Sequence, residues 1–139
     1  MRGAFVHRAI TLWTLPEAGI PRPHSASFSF HPDDPYAVEV AVPRDGGGAP
    51  HSVLFARELL LDGLNGPVGE GAVRVAPHPS DLGWTVLSLP IDGERVVFYA
   101  EQERVEEFVD ATLALVPSSG ESAGIDFDRM IAHLLEASP

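Results

Sequence analysis

The sequence contains neither cysteine nor lysine. Without cysteine there is no disulfide framework, no thiolate nucleophile and no cysteine-ligated zinc or iron–sulfur centre, a usage that suits a reducing cytosol. Without lysine there is no Schiff-base amine and no phosphate-loop lysine, and all nine basic residues are Arg. Positive charge is scarce as well. Nine Arg against twenty Asp and Glu leave a formal net charge of -11, so most of the surface repels phosphate backbones and anionic lipid, and general nucleic-acid binding is not expected. Long apolar runs are missing too: nothing approaches the ~20 uninterrupted residues of a membrane span. The first apolar run, Ala9 to Leu15, is flanked by His7, Arg8, Pro16 and Glu17 and lacks the small-residue cleavage pattern of a signal peptide. Neither membrane insertion nor export is expected.

What is present suits one globular domain over residues 1–139. The chain is 45% hydrophobic and 21% charged, enough to bury roughly two-thirds of its unfolded surface. Strands are expected over about 5–100, where short Val-, Phe-, Leu- and Thr-rich runs alternate with Pro, Gly and Asp clusters. Ser25–His31 alternates, with Ala26, Phe28 and Phe30 on one side, and Tyr36–Val42 does the same with Val38, Val40 and Val42. Joined by the Pro32-Asp33-Asp34-Pro35 corner, these two are expected to pair antiparallel. Pro43 to Pro50, with Gly46-Gly47-Gly48 inside it, reads as a mobile loop. Val53–Leu61 suits a strand, although its residues also suit a helix. Asn65-Gly66 and Gly69–Gly71 make the return to a strand over Ala72–Ala76. Trp84–Leu89 and Glu94–Ala100 flank Asp92-Gly93, the dipeptide that tolerates a tight hairpin's positive φ angles.

Phe5–Thr14 is apolar on both faces: Val6, Ile10 and Leu12 on one, Phe5, Ala9 and Trp13 on the other. The second face needs a cover, from helices or from another subunit, which makes Phe5, Ala9 and Trp13 candidate residues of an oligomer interface. Two helices are expected at the C-terminal end. Over about 101–117, Val105, Phe108, Val109, Thr112, Leu113 and Val116 follow helical spacing; over about 126–137, Phe127, Met130, Ile131, Leu134 and Leu135 repeat it behind an Asp126 cap. The expected fold class is α+β, with a seven-stranded antiparallel sheet and two C-terminal helices.

The residues that could carry chemistry do not form a catalytic set. His31, Asp33 and Asp34 are close in sequence, but a carboxylate before Pro at a strand corner is ordinary turn chemistry, and no third ligand spacing supports a metal. The remaining histidines sit in no recognised Ser, Asp or Glu arrangement. The glycine run lacks the strand-loop-helix context of a phosphate cradle. Arg57 stands out, because strand alternation would place it on the Phe55 and Leu59 face: either it pairs with a carboxylate in a partly buried site, or the segment is not a strand. No catalytic, cofactor-binding or metal-ligating residue is assigned. Composition alone describes an acidic α+β domain with surplus apolar surface, more like a binding module than a catalyst.

Particular strings go further. Asp33-Asp34-Pro35-Tyr36-Ala37-Val38, Phe55-Ala56-Arg57-Glu58-Leu59-Leu60-Leu61-Asp62-Gly63-Leu64 and Gly69-Glu70-Gly71-Ala72-Val73-Arg74-Val75 resemble, in that order, signature segments of the SsgA/SsgB-like sporulation and cell-division proteins. Phe108 to Pro117, followed by Gly120-Glu121, resembles that family's helix and its exit. The resemblance runs from about Ser25 to Leu135, in a lysine-free chain of the kind high-GC actinomycete genomes encode. Leu54 stands where the family commonly has Trp, and Ala72 where it has an acidic residue. The resemblance picks out Asp34, Pro35, Tyr36, Arg57, Glu58, Leu59, Leu60, Gly63 and Gly71 as family-motif positions, structural or partner-binding.

The resemblance implies a non-enzymatic protein without cofactor, acting in the cytoplasm at the division septum of sporulating actinomycetes. The tubulin-like protein FtsZ, with other division proteins of the same family, is the implied partner, and the SsgB-like branch, associated with recruiting FtsZ, is favoured. The family fold implies a homotrimer with a sheet arrangement similar to the whirly single-strand nucleic-acid-binding proteins. That similarity supplies the alternative function, single-stranded nucleic-acid binding. The absence of the lysine that whirly proteins use, together with net acidity, demotes it.

Overall fold

Eight strands and two helices make up the computed structural model, which describes residues 5–17 and 19–118. The strands are β1 (Val6–Thr14), β2 (Arg22–Phe30), β3 (Ala37–Val42), β4 (His51–Ala56), β5 (Val68–Glu70), β6 (Val73–Pro77), β7 (Trp84–Ile91) and β8 (Glu94–Glu101). Helix α1 (Arg57–Gly63) separates β4 from β5, and α2 (Gln102–Leu115) follows β8. All strands join one sheet in the order β4-β3-β2-β1-β8-β7-β6-β5. It is two four-stranded antiparallel meanders laid side by side, and α1 carries the chain from the outer edge of one to the outer edge of the other. The sheet curls until β4 approaches β7 across the core.

Alternation decides which residues go inside. Val6, Ile10 and Leu12 of β1, Phe28 and Phe30 of β2 and Leu87 and Leu89 of β7 all face the concave side and are buried. Helix α2 fills that concavity with Val105, Phe108 and Val109, and the Phe108 ring meets Phe28 edge to face, 5.5 Å between centroids. The two meanders meet at β1 and β8, where the registered pair is Trp13 with Tyr99. By contrast, β1 pairs with β2 along its whole length. Inside the sheet, then, α2 spans a seam that backbone pairing holds only briefly.

The expected β2–β3 pairing is present, and the Asp92-Gly93 hairpin has φ angles of 52° and 82° at its two central residues, as a tight two-residue turn requires. Three expectations are corrected. The sheet has eight strands rather than seven, because Val68–Glu70, inside the expected return, pairs with Val73–Val75 as β5. Val53–Leu61 is not one strand: pairing with β3 ends at Ala56, and Arg57 begins α1. Glu58-Leu59-Leu60-Leu61 has no β-branched residue, and burying Arg57, Leu60 and Gly63 at three-residue intervals needs helical spacing. The second helix among the described residues is therefore α1, between strands, and not C-terminal. The helix expected over 126–137 lies outside the described residues.

Gly63 ends α1 where it lies on β6. A Cβ placed there would sit 2.5 Å from Val75 Cβ and 3.1 Å from the Val75 carbonyl carbon, so the contact admits no side chain. Gly71, at φ +62° in the β5–β6 turn, has open space around it and carries only a conformational demand. Gly63→Ala is expected to cost about 1–3 kcal/mol through overpacking, and Gly71→Ala about 1 kcal/mol or less. Urea unfolding of the two variants should rank them in that order.

Candidate functional site

The family-motif positions other than Gly71, which sits alone in the β5–β6 turn, gather round α1. Asp34 and Pro35 form the β2–β3 corner, where the Asp34 amide donates to the His31 carbonyl at 3.0 Å and the Ala37 amide to the Asp34 carbonyl at 3.3 Å. The half-exposed Tyr36 contributes its backbone: its carbonyl accepts the Arg57 amide at 2.7 Å, tying the corner to the start of the helix. Leu59 and Leu60 are buried, Glu58 sits half-buried in the first turn where its charge suits the helix dipole, and Gly63 meets Val75.

Arg57 is 1% exposed. Its Nη1 donates to the Thr112 carbonyl at 3.1 Å and the Val116 carbonyl at 2.7 Å, and its guanidinium lies 4.9 Å from the centre of the Phe30 ring. A buried cation needs hydrogen-bond acceptors, and the last carbonyls of a helix supply them together with the negative end of its dipole. Arg57 opens a helix, so the segment is not a strand, as one of the two readings of the sequence allowed. The motif thus brings the loop corner, α1 and the end of α2 into one junction.

The outer, convex face of the sheet is different. Phe5 is 54% exposed and stacks on the His31 ring at 5.0 Å, Ala9 is exposed, and Trp13 is half-buried. Among the described residues no helix covers this face. Trp13 lies opposite Tyr99 across the seam, and Trp84, opposite Glu101 on β7, is the diagonal neighbour of Tyr99. With Leu15, Pro21, His78 and Asp81 these three rings line an open groove of about 340 Å³. The sequence contains two Trp and two Tyr, so both indoles and one phenol converge on a single groove. Sequence reasoning selected Trp13 alone, because Trp84, Tyr99 and His78 come from another meander and are joined to it only across the seam.

The β6–β7 loop that forms one wall is tightly tied. His78 Nδ1 accepts the amides of Ser80 at 3.1 Å and Asp81 at 3.0 Å, and Asp81 Oδ1 accepts the Gly83 amide at 3.2 Å. The Trp84 amide donates to the Asp81 carbonyl, and the Gln102 amide, at the start of α2, to the Gly83 carbonyl. On the inner side of the sheet, His24 Nε2 lies 2.9 Å from Thr14 Oγ1, and its ring meets the buried Phe98 edge to face at 5.9 Å. Burial, with a smaller contribution from the Arg22 charge, holds this imidazole below its usual 6.5, Asp45 acting weakly the other way.

Residues 25–121 match the family model described as Streptomyces sporulation and cell division protein, SsgA. The chain is 36% identical over 122 residues to the sporulation-specific cell division protein SsgB of Frankia casuarinae, spanning 87% of this chain and 85% of that one. It is 35% identical over 127 residues to the SsgB of Streptomyces coelicolor, 88% of each chain. Among solved structures, an SsgA-like sporulation-specific cell division protein from Thermobifida fusca superposes with a TM-score of 0.76 and 32% identity over 95% of this chain and 96% of that one. A structure from a study of SsgB mutations that correlate to longitudinal cell division during sporulation of Streptomyces coelicolor gives 0.75 and 28% over 85% and 93%.

Two outcomes are expected from this region. Arg57→Leu leaves the Thr112 and Val116 carbonyls without that donor and should lower unfolding free energy by about 3 kcal/mol. Arg57→Lys should restore only part, since an ammonium does not reproduce the planar fork; urea denaturation measures both. For His24, the unfolded chain takes up a proton near pH 6.5 and the folded chain only at lower pH. The stability that neutral His24 contributes is therefore complete above pH 6.5 and lost as pH falls from there through the lowered folded value. His24→Gln should flatten the urea midpoint across that interval.

Proposed function

Since the chain belongs to the SsgA family of sporulation and cell division proteins, we propose that it acts as a non-enzymatic adaptor that helps recruit or position FtsZ at division septa. The observation that carries this reading is the convex sheet face, where Phe5, Leu15, Val97 and the aromatic groove stand open to solvent with no element of the described chain upon them. Exposed aromatic and aliphatic side chains grouped on one sheet face suit recognition of other proteins. The division role of the SsgB relatives supplies the context.

Within this proposal the chain assembles as a homotrimer with the whirly-like subunit arrangement, and the Phe5 and Ala9 end of β1 is the contact between copies. Phe5 lies eight positions from Trp13, about 26 Å of extended chain, and Ala9 lies midway between the two. Three copies of a weak FtsZ-binding surface hold a filament by avidity, which adds affinity without a tight single contact. Single-stranded nucleic acid is the second reading: three aromatic rings on an open sheet are the kind of platform on which bases stack. The Asp81 carboxylate in the groove and a net charge of -11 oppose it.

Co-sedimentation with FtsZ filaments tests the adaptor reading. The wild type is expected to run as three chains in light scattering and to pellet with FtsZ. Ala9→Arg, at an exposed position, should give single chains and lose pelleting at least about a hundredfold. Single chains that still pellet with FtsZ as the wild type does would rule out avidity. A salt-sensitive gel shift with single-stranded DNA would favour the second reading.

A further inference from the structure

We propose that the groove between Trp13, Tyr99 and Trp84 receives a proline-rich segment of a partner protein in polyproline II conformation, with an Arg or Lys of that segment directed to Asp81. The inference rests on reading the convex face as a protein-recognition surface, and it specifies the chemistry of what binds there.

The ring faces supply the first argument. Trp13 and Tyr99 are registered partners across the seam, with Trp84 on the diagonal and the His78 ring 5.8 Å from that of Tyr99, so the groove offers a proline-rich segment an aromatic lining. Hydrogen bonding supplies the second. A polyproline II segment has no internal hydrogen bonds, so its carbonyls need outside donors. The indole N–H groups of Trp13 and Trp84 and the Tyr99 hydroxyl are such donors, and among the described residues none of them makes a hydrogen bond. Rigidity is the third: the hydrogen bonds of the His78–Trp84 loop hold the wall in place before any ligand arrives, which lowers the ordering cost of binding.

Charge selects the flanking residue. Asp81 lines the groove with an exposed carboxylate, and Glu101 lies opposite Trp84, where Arg104 Nε approaches it at 3.6 Å. The Asp81 carboxylate, in a chain of net charge -11, suits a cation and repels an acidic or phosphorylated segment.

Both tryptophans of the chain line this groove, so all indole emission reports on it. The full chain is titrated with the peptide Arg-Pro-Leu-Pro-Pro-Leu-Pro, and a saturable emission shift is expected. Replacing its prolines by Ala, or Trp84 by Ala in the protein, should weaken binding at least about tenfold. Tyr99→Phe removes one donor and leaves the ring packing, so it keeps the fold and should weaken binding about threefold. Asp81→Asn should also cost about threefold and flatten the salt dependence. The proposal is overturned if the peptide gives no saturation, if the Ala-substituted peptide binds as well, or if Trp84→Ala breaks an assembly into single chains, which would make the groove a contact between copies. Saturable peptide binding with no FtsZ pelleting sinks the adaptor reading alone; FtsZ pelleting with no peptide binding sinks the groove alone.

Discussion

The Arg57 guanidinium, buried against the last carbonyls of α2, is the interaction on which the rest of the structure depends. Helix α2 carries Phe108 into the core and spans the seam between the two meanders, and Arg57 secures its far end. The cation itself could not be buried without those carbonyls and the Phe30 ring. Each half of the arrangement therefore makes the other possible, which joins α1, α2 and the β2–β3 corner into one junction.

That junction has a consequence on the opposite side of the sheet. Because α2 follows β8 directly and packs in the concavity, the described helices lie inside the curl. The convex face keeps whatever its strands present. On β2 and β3 this is largely Ser25, Ser27, Ser29 and Glu39, but along β1, β7 and β8 it is Trp13, Trp84, Val97 and Tyr99. Polar cover on one meander and aromatic surface at the seam divide the face into a region content with water and a region suited to a partner.

The groove draws its rigidity from the same place. Gln102, the first residue of α2, donates its amide to Gly83 in the loop behind Trp84, so the helix that closes the core also steadies the outer wall. Family-motif residues and groove residues are thus different sets: of the first, Arg57 bonds the end of α2, and the second lie on the other face of the sheet.

Much of this was legible in the sequence where a local rule was strong. Period-two alternation identified β2 and β3 and their inward faces, Asp92-Gly93 the hairpin, the apolar spacing from Val105 to Thr112 the helix α2, and the ordered strings around Arg57 the family. Where two local rules competed, tertiary contact chose: Val53–Leu61 suited strand and helix alike, and pairing with β3 ran out at Ala56 just where burial of Arg57 and Gly63 called for helical spacing. The three-residue β5 was too short for any periodicity to show, and exists because β6 lies beside it. Local chemistry, then, was determined by the sequence alone wherever one rule applied: the alternating strands, the tight hairpin, the helix α2, and that one strand is apolar on both faces. Only the tertiary structure decided that Trp13, Tyr99 and Trp84 share a groove, because their proximity depends on β1 meeting β8 across more than eighty residues of chain, and no periodic signal spans that distance.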